Sequence, residues 1–216
     1  MLTHGVDLDM FSTPAEYELP ALKDVRKPRV GFFGLIDARM NWTLVVQLAE
    51  RMPEISFVFA GPVDASAGDL PRMENLHFVG PVRYKELPQL IFGIEALVLP
   101  YRTGDLAEAL SPLKLKEYMA TALPVVASAI SQARAVKKYV FIAETLSEWE
   151  SWLKRILMKS IPKEHMNLHE KLRGESWQRK AEEFLSLCCK GEQQCLDIAA
   201  SSEPIGSTSY ERSGPE

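Results

Sequence analysis

The chain has 216 residues, which favours one core domain with appendages over two full domains. Its hydrophobic share of 46% and charged share of 25% allow a sizeable soluble core. The net charge of -4, from 25 Lys+Arg against 29 Asp+Glu, argues against the broad basic footprint that nucleic acid selects, and leaves room for a small local anion site.

Residues 1–28 are polar and spaced by Pro14, Pro20 and Pro28, and read as an entry arm. They lack the basic start and apolar core of a signal peptide. Residues 29–187 then alternate short apolar runs with helical patterns. Arg29 to Phe33, stopped by Gly34, reads as a buried strand. Trp42, Val45, Val46, Leu48 and Ala49 repeat at helical spacing up to Pro53. Strands follow at 56–60, 76–79 and 96–99, with a short helix over 84–92. A polar loop runs to Ser111, a helix spans Pro112 to about Ala122, and strands are expected at 125–127 and 140–143. Two longer amphipathic helices are predicted over 146–158 and 166–187, with Trp149 and Trp152 anchoring the first to the core. Residues 188–216 are rich in Ser, Gly, Pro, Gln and Glu and are expected to be disordered.

This alternation predicts an α/β fold: a Rossmann-like parallel sheet of about six strands with helices on both faces. No apolar run is long enough to cross a bilayer. Cys188, Cys189 and Cys195 match no common zinc spacing and read as free thiols, so no metal is expected. His165 and His169 have metal-binding spacing and no third ligand nearby, and read as surface residues.

Ligands of parallel sheets bind beyond the carboxyl ends of the strands. Two loops are therefore candidates, the one after Phe33 and the one after Leu99. Ser111-Pro112-Leu113-Lys114 is the most informative stretch. Ser is a favoured helix N-cap and Pro a favoured first residue, so the amides of Leu113 and Lys114 lack intrahelical partners. The helix dipole and the Lys114 charge add to them, which suits a phosphate. Glu117 lies three residues on, on the same helix face, where a carboxylate can accept from ribose hydroxyls. Gly34 permits close backbone approach to a phosphate, Arg39 offers a second cation, and Tyr101 follows a strand end. Asp37 is placed either as a cap near the Trp42 helix or against a ligand.

The run Ser111 to Ala127, SPLKLKEYMATALPVVA, resembles the donor-site helix and following strand of glycosyltransferases with two facing Rossmann-like domains, the GT-B fold, of the group 1 type. Gly5-Val6-Asp7, Gly31-Phe32-Phe33-Gly34 with Asp37 and Arg39, Phe57 to Pro62, and Ser176-Trp177 resemble other landmarks of that C-terminal domain in the same order. The resemblance implies a nucleotide-diphospho-sugar donor, with UDP-sugar favoured and no cofactor or metal. Glu117 would contact ribose; Ser111, Pro112, Leu113, Lys114 and Gly34 would surround the diphosphate, with Arg39 and Tyr101 at the pocket. It implies hexosyl transfer to a glycan or lipid-linked acceptor in polysaccharide biosynthesis, with retention by family analogy. Three positions depart from the pattern: Ala109 stands where many relatives carry a glutamate, Leu35 where an arginine follows the first-loop glycine, and Ala122 where a glycine ends the helix.

In that family the N-terminal domain holds the acceptor, and nothing in this sequence resembles it. A separate chain or a longer gene is expected to supply it. The chain is read as cytoplasmic, with membrane-peripheral placement through the missing domain. No catalytic residue is assigned. The alternative is a non-catalytic nucleotide-binding or interaction subunit derived from a glycosyltransferase. A nicotinamide-binding domain fits poorly, because Gly31 and Gly34 do not complete Gly-x-Gly-x-x-Gly.

Overall fold

A computed structural model of the chain describes residues 4–12, 15–104, 113–161 and 172–188. Six strands form one parallel sheet: β1 (Arg29–Phe33), β2 (Ser56–Ala60), β3 (Leu76–Gly80), β4 (Ala96–Leu99), β5 (Val125–Ser128) and β6 (Phe141–Ala143). Their spatial order is β3-β2-β1-β4-β5-β6. Every residue of β1, β2, β4 and β5 is buried, as expected for strands covered on both faces. The helices are α1 (Leu8–Ser12), α2 (Trp42–Arg51), α3 (Leu87–Phe92), α4 (Leu113–Ala120), α5 (Ser131–Ala135), α6 (Leu146–Leu157) and α7 over residues 177–188. Successive strands step one way from β1 to β3 and the other way from β4 to β6. Right-handed crossovers then place helices on opposite faces. Helix α2 packs with α6, whereas α1 meets α3 and α4.

Local chemistry sets the boundaries. Asn41 caps α2 by accepting from the Leu44 amide at 3.1 Å. Of the two placements expected for Asp37, the helix cap is thereby excluded: Asp37 lies too far upstream and binds Arg39 instead. Thr145 and Glu148 form a reciprocal capping box on α6, whose Trp149 is 1% exposed and whose Trp152 donates to the Ile142 carbonyl. The C-terminal helix differs from its predicted span. Arg173–Glu175 is a 3-10 turn and Ser176 is extended, so α7 starts only at residue 177. Gly174 weakens any continuous helix here, and Ser176 supplies a fresh cap by accepting from the Arg179 amide.

The two ends of the described chain meet. Val6 forms a parallel bridge with Ser176, and its amide donates to the Glu175 carbonyl at 2.8 Å. Lys116 of α4 clamps this junction, donating to Glu175 at 2.5 Å and to the His4 carbonyl at 2.9 Å. The N-terminal segment joins the core through Val6, Phe11 and Leu22. At the amino edge of the sheet, Arg29 is 4% exposed. It donates to the carbonyls of Val25, Leu22 and Gly93 and to the Glu18 carboxylate, an arrangement that satisfies a buried guanidinium.

Candidate functional site

The strand order reverses between β1 and β4, and that reversal opens a crevice at the carboxyl edge. Strand β1 pairs with β2 as far as Phe33, but with β4 only at Val30 and Gly31. The backbone of Phe33 therefore lacks a strand partner on the β4 side. Tyr118 of α4 fills the role. Its hydroxyl accepts from the Phe33 amide at 3.0 Å and donates to the Phe33 carbonyl at 3.1 Å. Its ring packs on Phe33 with centroids 4.6 Å apart. Burial drives the Tyr118 pKa well above its usual value, so the hydroxyl stays a neutral donor.

One helical turn earlier, Lys114 and Glu117 emerge at this crevice. The Lys114 ammonium lies 2.7 Å from Glu117 Oε2 and 5.0 Å from the centre of the Phe33 ring. Their side chains are 29% and 13% exposed, so the pair is half-buried and still reaches solvent. Gly34 is what lets Lys114 reach this place. A Cβ on Gly34 would lie 2.7 Å from Lys114 Cε, and its φ of +139° is one that other residues rarely adopt. Beneath it, a Cβ on Gly61 would overlap the Gly34 carbonyl oxygen. The floor of the crevice is thus bare backbone.

Arg39 and Tyr101 form a neighbouring unit. Asp37 binds Arg39 through two contacts, Nε to Oδ1 at 2.8 Å and a terminal nitrogen to Oδ2 at 2.6 Å. That hydrogen bond outweighs burial and raises the Arg39 pKa. The guanidinium lies 5.0 Å from the Tyr101 ring centre. Tyr101 is 6% exposed and meets Phe32 edge-on; burial pushes its pKa to about 12. The Arg39 charge is therefore balanced by Asp37 at close range.

The structure brings Gly34, Lys114 and Glu117 together, and brings Arg39 and Tyr101 together on the loops after β1 and β4. Ser111 and Pro112 lie outside the described residues, as do Ala109, Cys189, Cys195, His165 and His169. Leu113 is described as the first residue of α4. Sequence reasoning missed Tyr84, whose pKa rises to about 12 chiefly through burial and then through the Glu117 charge. Its ring meets Phe11 edge-on and remains 48% exposed at the rim. The usable signal was its position after the Gly80-Pro81 strand stop. Ala122 adopts φ +58°, the left-handed conformation that glycine takes at a helix end. Leu35 is 43% exposed in the loop after β1. Among the described residues no group of three metal-ligating side chains is close enough to hold an ion, and no helix is long and apolar enough to cross a membrane.

A family model described as glycosyl transferases group 1 matches residues 27–157, more than half of the chain. The chain belongs to that family. It is 30% identical over 145 residues to the glycosyltransferase TuaH of Bacillus subtilis (strain 168), named for teichuronic acid biosynthesis; the match covers 64% of this chain and 36% of TuaH. Its fold matches sucrose-phosphate synthase from Thermosynechococcus elongatus with a TM-score of 0.61 and 18% identity, over 93% of this chain and 53% of that one. It also matches Anabaena HepE, solved in complex with UDP and glucose, with a TM-score of 0.64 and 14% identity, over 85% of this chain and 55% of that one. These are GT-B glycosyltransferases, and the sheet order here is that of one Rossmann-like half. The chain spans about a third of TuaH and about half of these solved structures.

Proposed function

We propose that this chain is the donor-binding half of a GT-B glycosyltransferase and takes part in hexosyl transfer from a nucleotide-diphospho-sugar, with a UDP-sugar favoured, to a glycan or lipid-linked acceptor. One observation carries the reading: the Lys114–Glu117 pair, at 2.7 Å, stands at the switch point of the sheet over a floor of glycine backbone. A diphosphate there displaces Glu117 as the partner of Lys114 and frees the carboxylate to accept from ribose hydroxyls. The start of α4 adds amide donors and dipole charge for the leaving nucleoside diphosphate. Tyr84, half exposed beside Glu117, offers an aromatic wall for the base. The acceptor half is supplied by polypeptide outside this sequence, on the same chain or another, and the isolated chain has little transfer activity.

Isothermal calorimetry with UDP tests the reading. Lys114→Ala and Glu117→Ala should each weaken UDP binding by about tenfold, the loss of one charge-assisted contact. Absence of binding to UDP and to every other nucleoside diphosphate would overturn it. One observation favours a second reading, an interaction subunit without catalytic activity: Asp37 already neutralises Arg39, which leaves Lys114 as the cation at the Gly34 crevice. Turnover of a UDP-sugar on pairing with an acceptor domain would exclude it.

A further inference from the structure

We propose that the outer edge of the sheet at β6, with the end of α6 beside it, is a membrane-contacting face that docks the chain on a bilayer containing anionic lipid. Strand β6 is the last of the sheet on its side, so its outer edge has no strand partner. A groove of about 730 Å³ runs along it, lined by Val140, Phe141, Ile142 and, from α6, Trp152. Lys137 and Lys138, in the loop that leads into β6, stand exposed at its rim. Helix α6 begins just after β6 and packs back against it, so its last turn lies toward the start of the strand, on the side of these lysines. There it adds Arg155, whose guanidinium lies 4.6 Å from the centre of the Trp152 ring, and is followed by Met158 and Lys159.

The charge of this face runs against that of the chain. The sequence carries a net -4, yet Lys137, Lys138, Arg155 and Lys159 gather here with no carboxylate at ion-pair distance among the described residues. Their neighbours Arg134 and Lys154, by contrast, reach Glu144 and Glu150. The carboxylates that flank the groove are already engaged. Glu144 holds Arg134 at 2.7 Å, and Glu148 accepts from the amides of Glu144 and Thr145 as part of the α6 cap. The field over the groove is therefore positive, and its complement is anionic.

The details select a bilayer over an acidic polypeptide. A strand adding to β6 would need the Ile142 carbonyl, and Trp152 Nε1 already donates to it at 3.1 Å. The same bond leaves the indole with no unpaired donor, so its ring can enter an apolar layer. Met158, 77% exposed, projects an unbranched apolar side chain from among the cations. Lysines make up most of the cluster, and flexible point charges suit a diffuse layer of headgroups, whereas fixed carboxylates are better met by an arginine fork. The one arginine, Arg155, lies over the Trp152 ring. Tryptophan framed by lysine and arginine is a combination suited to the boundary between water and lipid.

Co-sedimentation of the full chain with vesicles tests this, using phosphatidylcholine alone and phosphatidylcholine with phosphatidylglycerol in equal parts. The chain should pellet with the anionic vesicles only, and added salt should release it. Lys137→Ala and Lys138→Ala should each weaken vesicle binding about fivefold, the loss of one surface cation, and the double variant about twenty-fivefold. Met158→Ser should weaken binding as well and leave the melting temperature unchanged. Lys23→Ala removes an exposed cation elsewhere and should change nothing. No binding to the anionic vesicles, equal binding to both kinds, or equal losses from Lys23→Ala and Lys137→Ala would overturn the proposal. So would a soluble polyglutamate that displaces the chain from the vesicles at matching charge, which would make the partner an acidic polypeptide. No nucleotide enters the test, so its outcome is independent of the donor reading.

Discussion

Tyr118 closes the end of β1 with one oxygen atom, accepting from the Phe33 amide and donating to the Phe33 carbonyl. The position of α4, and with it Lys114 and Glu117, is thereby set by a hydrogen bond to the strand that carries Gly34. Removing the hydroxyl leaves a buried amide and a buried carbonyl without partners. Tyr118→Phe should cost about 2 kcal/mol in urea unfolding, and should speed exchange of the Phe33 amide far more than that of neighbouring strand amides. An unchanged Phe33 exchange rate would contradict this role.

Ala122 is held at φ +58°, where its Cβ is crowded by the backbone. The helix end is otherwise well served: Thr121 donates its hydroxyl to the Tyr118 carbonyl at 2.7 Å. Ala122→Gly should therefore stabilise the fold by about 1 kcal/mol and raise the melting temperature by about 3 °C. A lowered melting temperature would mean that the added freedom of glycine in the unfolded chain outweighs the strain.

Arg29 is the most densely bonded charge in the described residues outside the site, with three carbonyls and the Glu18 carboxylate around it. Arg29→Met strands these acceptors and should destabilise by about 3 kcal/mol, measured as a shift in urea midpoint. Arg29→Lys should recover little of the loss, because a compact ammonium cannot reproduce the planar fork.

Glu18 and Glu175 are among the carboxyls that couple the fold to pH. Hydrogen bonds from Arg29 and then Lys27 lower the Glu18 pKa below its ordinary 4.5. Burial pushes Glu175 upward, but Lys116 and Lys180 outweigh it and the net shift is also downward. Carboxyls with depressed folded values stabilise the protein above their unfolded pKa, and the effect is lost as pH falls through the folded values. Burial also holds the His77 imidazole below its ordinary 6.5, so the urea midpoint should begin to ease down as pH falls through about 6.5 and drop further below about 5, and Glu18→Gln should flatten that lower limb. An acid limb unchanged in this variant would assign the pH dependence to other groups.

Much of the fold was legible because β1 to β4 are short apolar runs ended by Gly or Pro, and such runs have few other structural uses. The Lys114–Glu117 face was legible from spacing alone, since residues three apart on a helix are neighbours whatever surrounds them. Less local features were not. Asn41 outcompetes Asp37 as a cap through backbone geometry that composition does not encode. The break at Gly174–Ser176 arises because the extended Ser176 pairs with Val6, 170 residues away in sequence. Arg29 opens an apolar strand and reads as a boundary charge, while the carbonyls that bury it come from segments before and far after it.

The contact between Gly61 and Gly34 ties two distant codons together. A side chain at position 61 meets the Gly34 carbonyl oxygen, so Gly34 must shift from its place under Lys114, and a side chain at position 34 strikes Lys114 directly. In a diverging lineage neither glycine can drift first, and a change at both would compound the clash instead of relieving it. Homologues that keep the lysine should keep both glycines, and those that have lost either should show the lysine released from constraint as well.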